Sequence, residues 1–63
     1  MKLLRKTQNG SYAWYLETSV RGEVYITLTR DRTFCASEYH PTMPKSEIQT
    51  RIDAKLSQGY KYV

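Results

Sequence analysis

Apolar and polar positions alternate through the first half of the chain. From Tyr12 the even positions Tyr12, Trp14, Leu16 and Val20 are mostly apolar, and Val24, Ile26 and Leu28 repeat the pattern against Tyr25, Thr27 and Thr29. Successive side chains of a strand point to opposite faces, so this period of two, rich in aromatic and β-branched residues, predicts half-buried β-strands. Asn9-Gly10 lies between Leu3-to-Gln8 and the Tyr12 run. Both residues accept the positive φ of a type I′ turn, which makes the pair a strong hairpin signal. A two-residue loop there sets Leu3 opposite Leu16, Leu4 opposite Tyr15 and Thr7 opposite Tyr12.

The next turn, near Arg21-Gly22, requires a different length. A two-residue loop would place Leu16 opposite Thr27 and mix the two faces. With Val20-Arg21-Gly22 as a three-residue loop and Gly22 in the left-handed position, Leu16 meets Ile26, Trp14 meets Leu28 and Thr18 meets Val24. Arg30-Asp31-Arg32 then turns the chain into Thr33-Phe34-Cys35-Ala36-Ser37, a fourth strand expected to point Phe34 and Ala36 inward. Tyr39-His40-Pro41 is expected to be a loop.

In the last third the period changes. Ile48, Ile52 and Leu56 recur every four residues, Thr42 is placed to cap, Pro44 suits a first helical turn and Gly59 suits a helix end. The prediction is a helix from about Met43 to Gln58, with Tyr60-Lys61-Tyr62-Val63 able to continue as an edge strand. The fold class expected is α+β: a three- or four-stranded antiparallel meander with one C-terminal helix packed on one face. Its core would hold Trp14, Leu16, Ile26, Leu28, Ile48, Ile52 and Leu56.

Length turns this pattern into an energetic constraint. A chain of 63 residues makes one domain, and a domain of that size buries only about 60% of its unfolded surface. A core this small rarely supplies more than about 3 to 5 kcal/mol. Hydrophobic residues at 40% and charged residues at 25% still place the chain in the globular class, without repeats, low-complexity segments or linkers. Cys35 is the single cysteine, so no intrachain disulfide can form, which favours a cytoplasmic setting. The opening residues Met1 to Lys6 carry positive charge but no following apolar run, so neither a cleaved leader nor a membrane span is expected, and the chain reads as a complete small product.

The same inventory leaves little room for catalysis. Cys35 and His40 are the only thiol and imidazole, and no Gly-rich oxyanion loop accompanies them. One Cys and one His cannot complete a structural zinc shell, and no spaced carboxylate cluster replaces it. The three glycines fall at turns and a helix end, so no phosphate loop or dinucleotide fingerprint exists. The expectation is a non-enzyme with no catalytic residue, no metal and no small-molecule cofactor.

Charge and aromatic placement point instead to binding. Ten Lys and Arg against six Asp and Glu give a net charge of +4, and a pI near 9.4 suits nucleic acid or an acidic protein surface. Opposite the helix the sheet should present Lys2, Leu4 and Lys6 on strand one, Ala13, Tyr15 and Glu17 on strand two, and Tyr25, Thr27 and Thr29 on strand three. Tyrosines and lysines on an uncovered sheet are the ingredients of a base-stacking platform. Lys2, Lys6, Tyr15 and Tyr25 are therefore the expected binding residues, with Arg30 and Arg32 of the turn as secondary contacts through their planar guanidinium forks.

The run Asn9-Gly10-Ser11-Tyr12, followed by Arg21-Gly22-Glu23-Val24-Tyr25 and by Arg30-Asp31-Arg32 ahead of a helix, resembles the arm-binding domain of tyrosine integrases. That resemblance implies a three-stranded sheet plus helix that reads the DNA major groove. Thr33 to Pro41 has no counterpart in the pattern, and no family is assigned on it. The function expected is a small accessory or regulatory protein that binds nucleic acid or a nucleoprotein complex through the open face. The alternative is a protein-binding regulator or inhibitor that uses the same tyrosines against a foreign protein or, as a homodimer, against a second copy of itself.

Overall fold

The computed structural model describes all 63 residues. The elements run β1 (Lys2–Thr7), β2 (Gly10–Thr18), β3 (Val24–Arg30), β4 (Thr33–His40), α1 (Lys45–Ser57) and β5 (Lys61–Tyr62). They form one antiparallel sheet in the order β4-β3-β2-β1-β5 with a single helix, an α+β fold. The sheet has five strands rather than three or four. The fifth arises because the chain after the helix pairs with β1, setting Leu3 opposite Tyr62 and Leu4 opposite Lys61.

The β2–β3 hairpin follows the alternation closely. Trp14 pairs with Leu28, Leu16 with Ile26 and Thr18 with Val24. The Ser19 N–H donates to the Glu23 carbonyl at 2.9 Å, closing the loop around Val20-Arg21-Gly22. Gly22 has φ +86°, the left-handed geometry that lets this loop return the chain without slipping the register.

The first hairpin turns one residue earlier than Asn9-Gly10 predicts. Its loop is Gln8-Asn9, and Thr7 brackets it: the Thr7 hydroxyl accepts from the Asn9 N–H at 3.1 Å and donates to the Gly10 carbonyl at 3.0 Å. Leu3 therefore faces Trp14, and Lys2 faces Tyr15. Moving a turn by one residue shifts the pairing by two, which conserves the faces because side chains alternate with period two. Gly10 opens β2 at φ +140°, and a Cβ there would lie 2.6 Å from an Asp31 carboxylate oxygen.

β4 is longer than expected and changes face midway. It runs through Tyr39 and His40, which pair with Tyr25 and Val24 rather than forming a loop. A bulge interrupts it: Leu28 pairs with Ala36 but Thr29 pairs with Phe34, leaving Cys35 as the additional residue. Phe34 consequently shares the face of Thr29 and is 63% exposed, against the expectation that it points inward. Ala36 keeps the register of the core face through Leu28.

The buried cluster comprises Leu3, Trp14, Leu16, Val24, Ile26, Met43 and Tyr60. Leu28, Ile48, Ile52 and Leu56 are half-buried against it, and no residue of α1 is fully buried. The core thus rests more on the sheet and on the two ends of the helical link than the stripe of isoleucines suggests. β4 and β5 are opposite edges, so the link between them must cross four strand spacings, about 19 Å. A helix of 13 residues is about 20 Å long, which matches the crossing.

Helix α1 begins at Lys45, with Pro44 in the N-cap position and no side-chain cap, so Thr42 does not cap it. The proline ring disfavours helical geometry at the preceding residue, which keeps Met43 out of the helix and free to enter the core. At the other end Gly59 has φ +100°. Its N–H donates to the Leu56 carbonyl at 3.0 Å and that of Tyr60 to the Lys55 carbonyl at 3.1 Å, a Schellman cap that turns Tyr60 back into the cluster. The helix is neither long nor apolar enough to cross a membrane.

Candidate functional site

The sheet face remote from the buried cluster is assembled from alternate residues of all five strands. Register places four rows across it: Lys6 with Ser11; Lys61, Leu4, Ala13, Thr29 and Phe34; Lys2, Tyr15, Thr27 and Ser37; and Glu17, Tyr25 and Tyr39. At the β1–β2 side the surface dips into a shallow concavity of about 600 Å³. Lys2, Lys6 and Arg32 line it together with Leu4 and Tyr15.

Arg32 reaches this concavity because of a tight turn. Arg30 pairs with Thr33 across Asp31-Arg32, and these two residues have φ +50° and +68°. Positive φ at both central positions is the type I′ pattern, here built without glycine or asparagine. Asp31 anchors it to the next strand. Its carboxylate accepts from the Ser11 N–H at 2.9 Å, and its own N–H donates to the Ser11 carbonyl at 2.8 Å. Part of the Asp31 charge is thus occupied by a backbone donor, whereas Arg32 makes no salt bridge.

Lys2 and Tyr15 form one unit. They are cross-strand partners, and the Lys2 ammonium sits 5.5 Å from the centre of the Tyr15 ring. A loop at Asn9-Gly10 would instead set Lys2 beside Glu17. In the structure the amino group of Met1 takes that place, 3.4 Å from the Glu17 carboxylate.

The other end of the face differs in charge. Tyr25 and Tyr39 are 5.2 Å apart at 44°, and the Tyr39 hydroxyl donates to Glu23 at 2.7 Å. That hydrogen bond to a carboxylate raises the Tyr39 pKa above its ordinary value, with desolvation and the Glu23 charge adding in the same direction. Glu17 pairs with Tyr25 on the same row. This corner is aromatic and acidic, without a lysine or arginine in its row.

Of the six residues expected to bind, the structure gathers Lys2, Lys6, Tyr15 and Arg32 around one concavity. Tyr25 stands at the acidic end. Arg30 pairs with Tyr12, which packs against the buried cluster, so its register belongs to the other face. Three further residues join this face. Tyr39 continues β4 in alternation with Ser37 instead of lying in a loop; Phe34 faces outward because of the bulge at Cys35, which nothing in the sequence marks; and Lys61 enters through the pairing of the edge strand β5 with β1.

Cys35 and His40 engage different partners. The exposed Cys35 thiol donates weakly to the Thr33 carbonyl at 3.6 Å. His40 Nε2 contacts the Glu38 carboxylate at 3.0 Å, which also accepts from Arg51 at 2.9 Å. These partners, the His40 hydrogen bond foremost, hold the Glu38 pKa below its ordinary value despite an opposing desolvation effect. No three His, Cys, Asp or Glu side chains converge to hold a metal ion. Compared with protein-family models, with curated proteins and with solved structures, the chain matches none.

Proposed function

We propose that the protein is a small nucleic-acid-binding module whose helix covers one face of the sheet and whose other face receives the ligand. The observation that supports this reading is the concavity lined by three cations, Lys2, Lys6 and Arg32, against one carboxylate, Asp31, which already accepts from the Ser11 N–H, with Leu4 and Tyr15 beside them. Phosphates would pair with the cations, and a base would lie against the tyrosine and leucine surface. Lys2 already rests on the Tyr15 ring, so a base stacks there by displacing or sandwiching that ammonium. A role as an accessory or regulatory component in the cytoplasm, without catalysis, fits such a site.

The test is fluorescence anisotropy with labelled single-stranded and duplex probes across a salt series. Three phosphate contacts predict that log affinity falls with log salt at a slope of about −2 for a single strand. A slope near zero, or no binding at low salt, overturns the reading. A second reading has its own observation. The acidic, aromatic corner of Tyr25, Tyr39, Glu17 and Glu23 suits a protein surface better than a phosphate, and a second copy of the chain is one such partner. Binding there would vary little with salt and would respond to Tyr25→Ala, not to Arg32→Asn.

A further inference from the structure

Helix α1 and strand β4 flank a second recess on the face away from Lys2 and Lys6. Its floor is Trp14, Ile26 and Leu28, and its volume is about 280 Å³. The recess exists because two alanines stand where larger residues would close it: Ala36 on β4 and Ala54 on α1 both line it. Both are exposed. Its rim is basic. Arg51 is held by Glu38 and Glu47, but the Lys55 ammonium has no carboxylate partner and lies 5.9 Å from the Trp14 ring centre and 5.3 Å from that of Tyr60.

Beside this recess runs an unpaired sheet edge. β4 is the terminal strand of the order β4-β3-β2-β1-β5, it is eight residues long, and every residue from Thr33 to Tyr39 is exposed. It contains no proline and no lysine, two of the devices that usually keep such an edge from pairing. Only the bulge at Cys35 interrupts it, leaving Ala36 to His40 as regular strand. The recess is too small for a typical drug-sized ligand, which needs roughly 300 to 1,000 Å³. A single aliphatic or aromatic side chain fits.

The geometry points to a peptide-docking site at which an extended, acidic segment of another protein adds to β4 as a sixth strand. One apolar side chain of that segment would reach over Ala36 onto Leu28 and Trp14. An acidic side chain two positions away lies on the same side of the added strand, because strands alternate, and meets Lys55. Charge selects this occupant over a second copy of the chain: each copy carries +4, so self-pairing along β4 is opposed while an acidic strand is attracted. The lysine-bearing face lies on the other side of the sheet, so the two sites can be filled at once.

The experiment uses two octapeptide libraries titrated into the labelled protein and followed by amide chemical shifts and Trp14 fluorescence. One library alternates Val, Ile, Leu or Phe with Asp or Glu; the other replaces the acids by Lys and Arg. The acidic library is expected to shift the amides of Ala36 to Tyr39 and the Trp14 signals. It should bind at least about tenfold more tightly than the basic one at low salt, a preference that shrinks as salt screens the rim. Ala54→Leu, a substitution at an exposed helix position, should fill the recess and lower that affinity about tenfold or more, with the remaining amide spectrum unchanged. Lys55→Gln should remove the preference between the libraries while leaving part of the binding. Equal response to the two libraries, shifts confined to the Lys2–Tyr15 face, or insensitivity to Ala54→Leu overturns the proposal. A dimer in sedimentation whose formation protects the β4 amides assigns the edge to a second copy and overturns it as well. Loss of nucleic-acid binding in the salt series leaves these outcomes unaffected.

Discussion

Arg32 occupies a position where stability and function should pull apart. Its φ of +68° lies in the left-handed region, which an L residue without a short polar side chain enters at a cost of about 1 kcal/mol. Arg32→Gly removes that cost, while the greater freedom of glycine in the unfolded chain takes back roughly 0.5 kcal/mol. A net gain of about 0.5 kcal/mol corresponds to a rise in Tm of roughly 2 to 4 °C for a domain of this size. Arg32→Asn should behave similarly, since asparagine tolerates this geometry better than most residues. Both variants also remove one of the three cations around the concavity, so the salt slope for a single-stranded probe should become shallower by about 0.7. Thermal unfolding followed by circular dichroism, paired with anisotropy at several salt concentrations, measures both effects on the same samples. An unchanged or lower Tm in both variants would refute the turn strain. A higher Tm with an unchanged salt slope would refute the placement of Arg32 in the binding site.

Four further outcomes follow from the packing and the charge contacts. Leu16 is 5% exposed in the buried cluster, so Leu16→Ala should cost about 2 to 5 kcal/mol, comparable with the whole stability of so small a domain; the variant should lack a cooperative unfolding transition, and one with the wild-type Tm contradicts the core described above. Gly10→Ala introduces a Cβ 2.6 Å from the Asp31 carboxylate at φ +140° and should lose more than about 1 kcal/mol in urea denaturation, with part of the loss recovered when Asp31→Ala removes the clash. The Glu38 pKa is depressed in the folded protein, so its contribution is present above the unfolded value near 4.5 and fades as pH falls through the lower folded value. The Tm difference between wild type and Glu38→Gln should therefore shrink as pH falls below about 4.5, and a difference that grows on acidification would reverse the assigned sign. Glu17→Gln removes a carboxylate from the open face and should tighten nucleic-acid complexes; weaker binding to every probe would count against the open-face site.

Local pattern and tertiary contact contributed different parts of this molecule. Alternation alone determined the strands β1 to β3 and which side chains share a face, because a period of two survives any even slip of register. That is why the Lys2, Lys6 and Tyr15 face was legible although the first hairpin turns at Gln8-Asn9 rather than Asn9-Gly10. Gly22 and Gly59 were equally legible, since a left-handed turn and a Schellman cap favour a residue without a Cβ. The bulge at Cys35 was not. It arises from pairing between β3 and β4, and one additional residue reversed Phe34 while leaving Ala36 in place. The tail from Tyr60 to Val63 was legible as an edge strand, but the edge it joins was not: the helical link spans the sheet and delivers Lys61 and Tyr62 to the free edge of β1. Tertiary structure also decided the core, drawing in Leu3, Val24, Met43 and Tyr60 while leaving the isoleucines of α1 half-exposed. The same closing of distant segments brought Arg32 to the lysines and separated Tyr25 from them, because which neighbours a side chain meets depends on strand order and turn geometry, and neither is encoded in the period of the pattern.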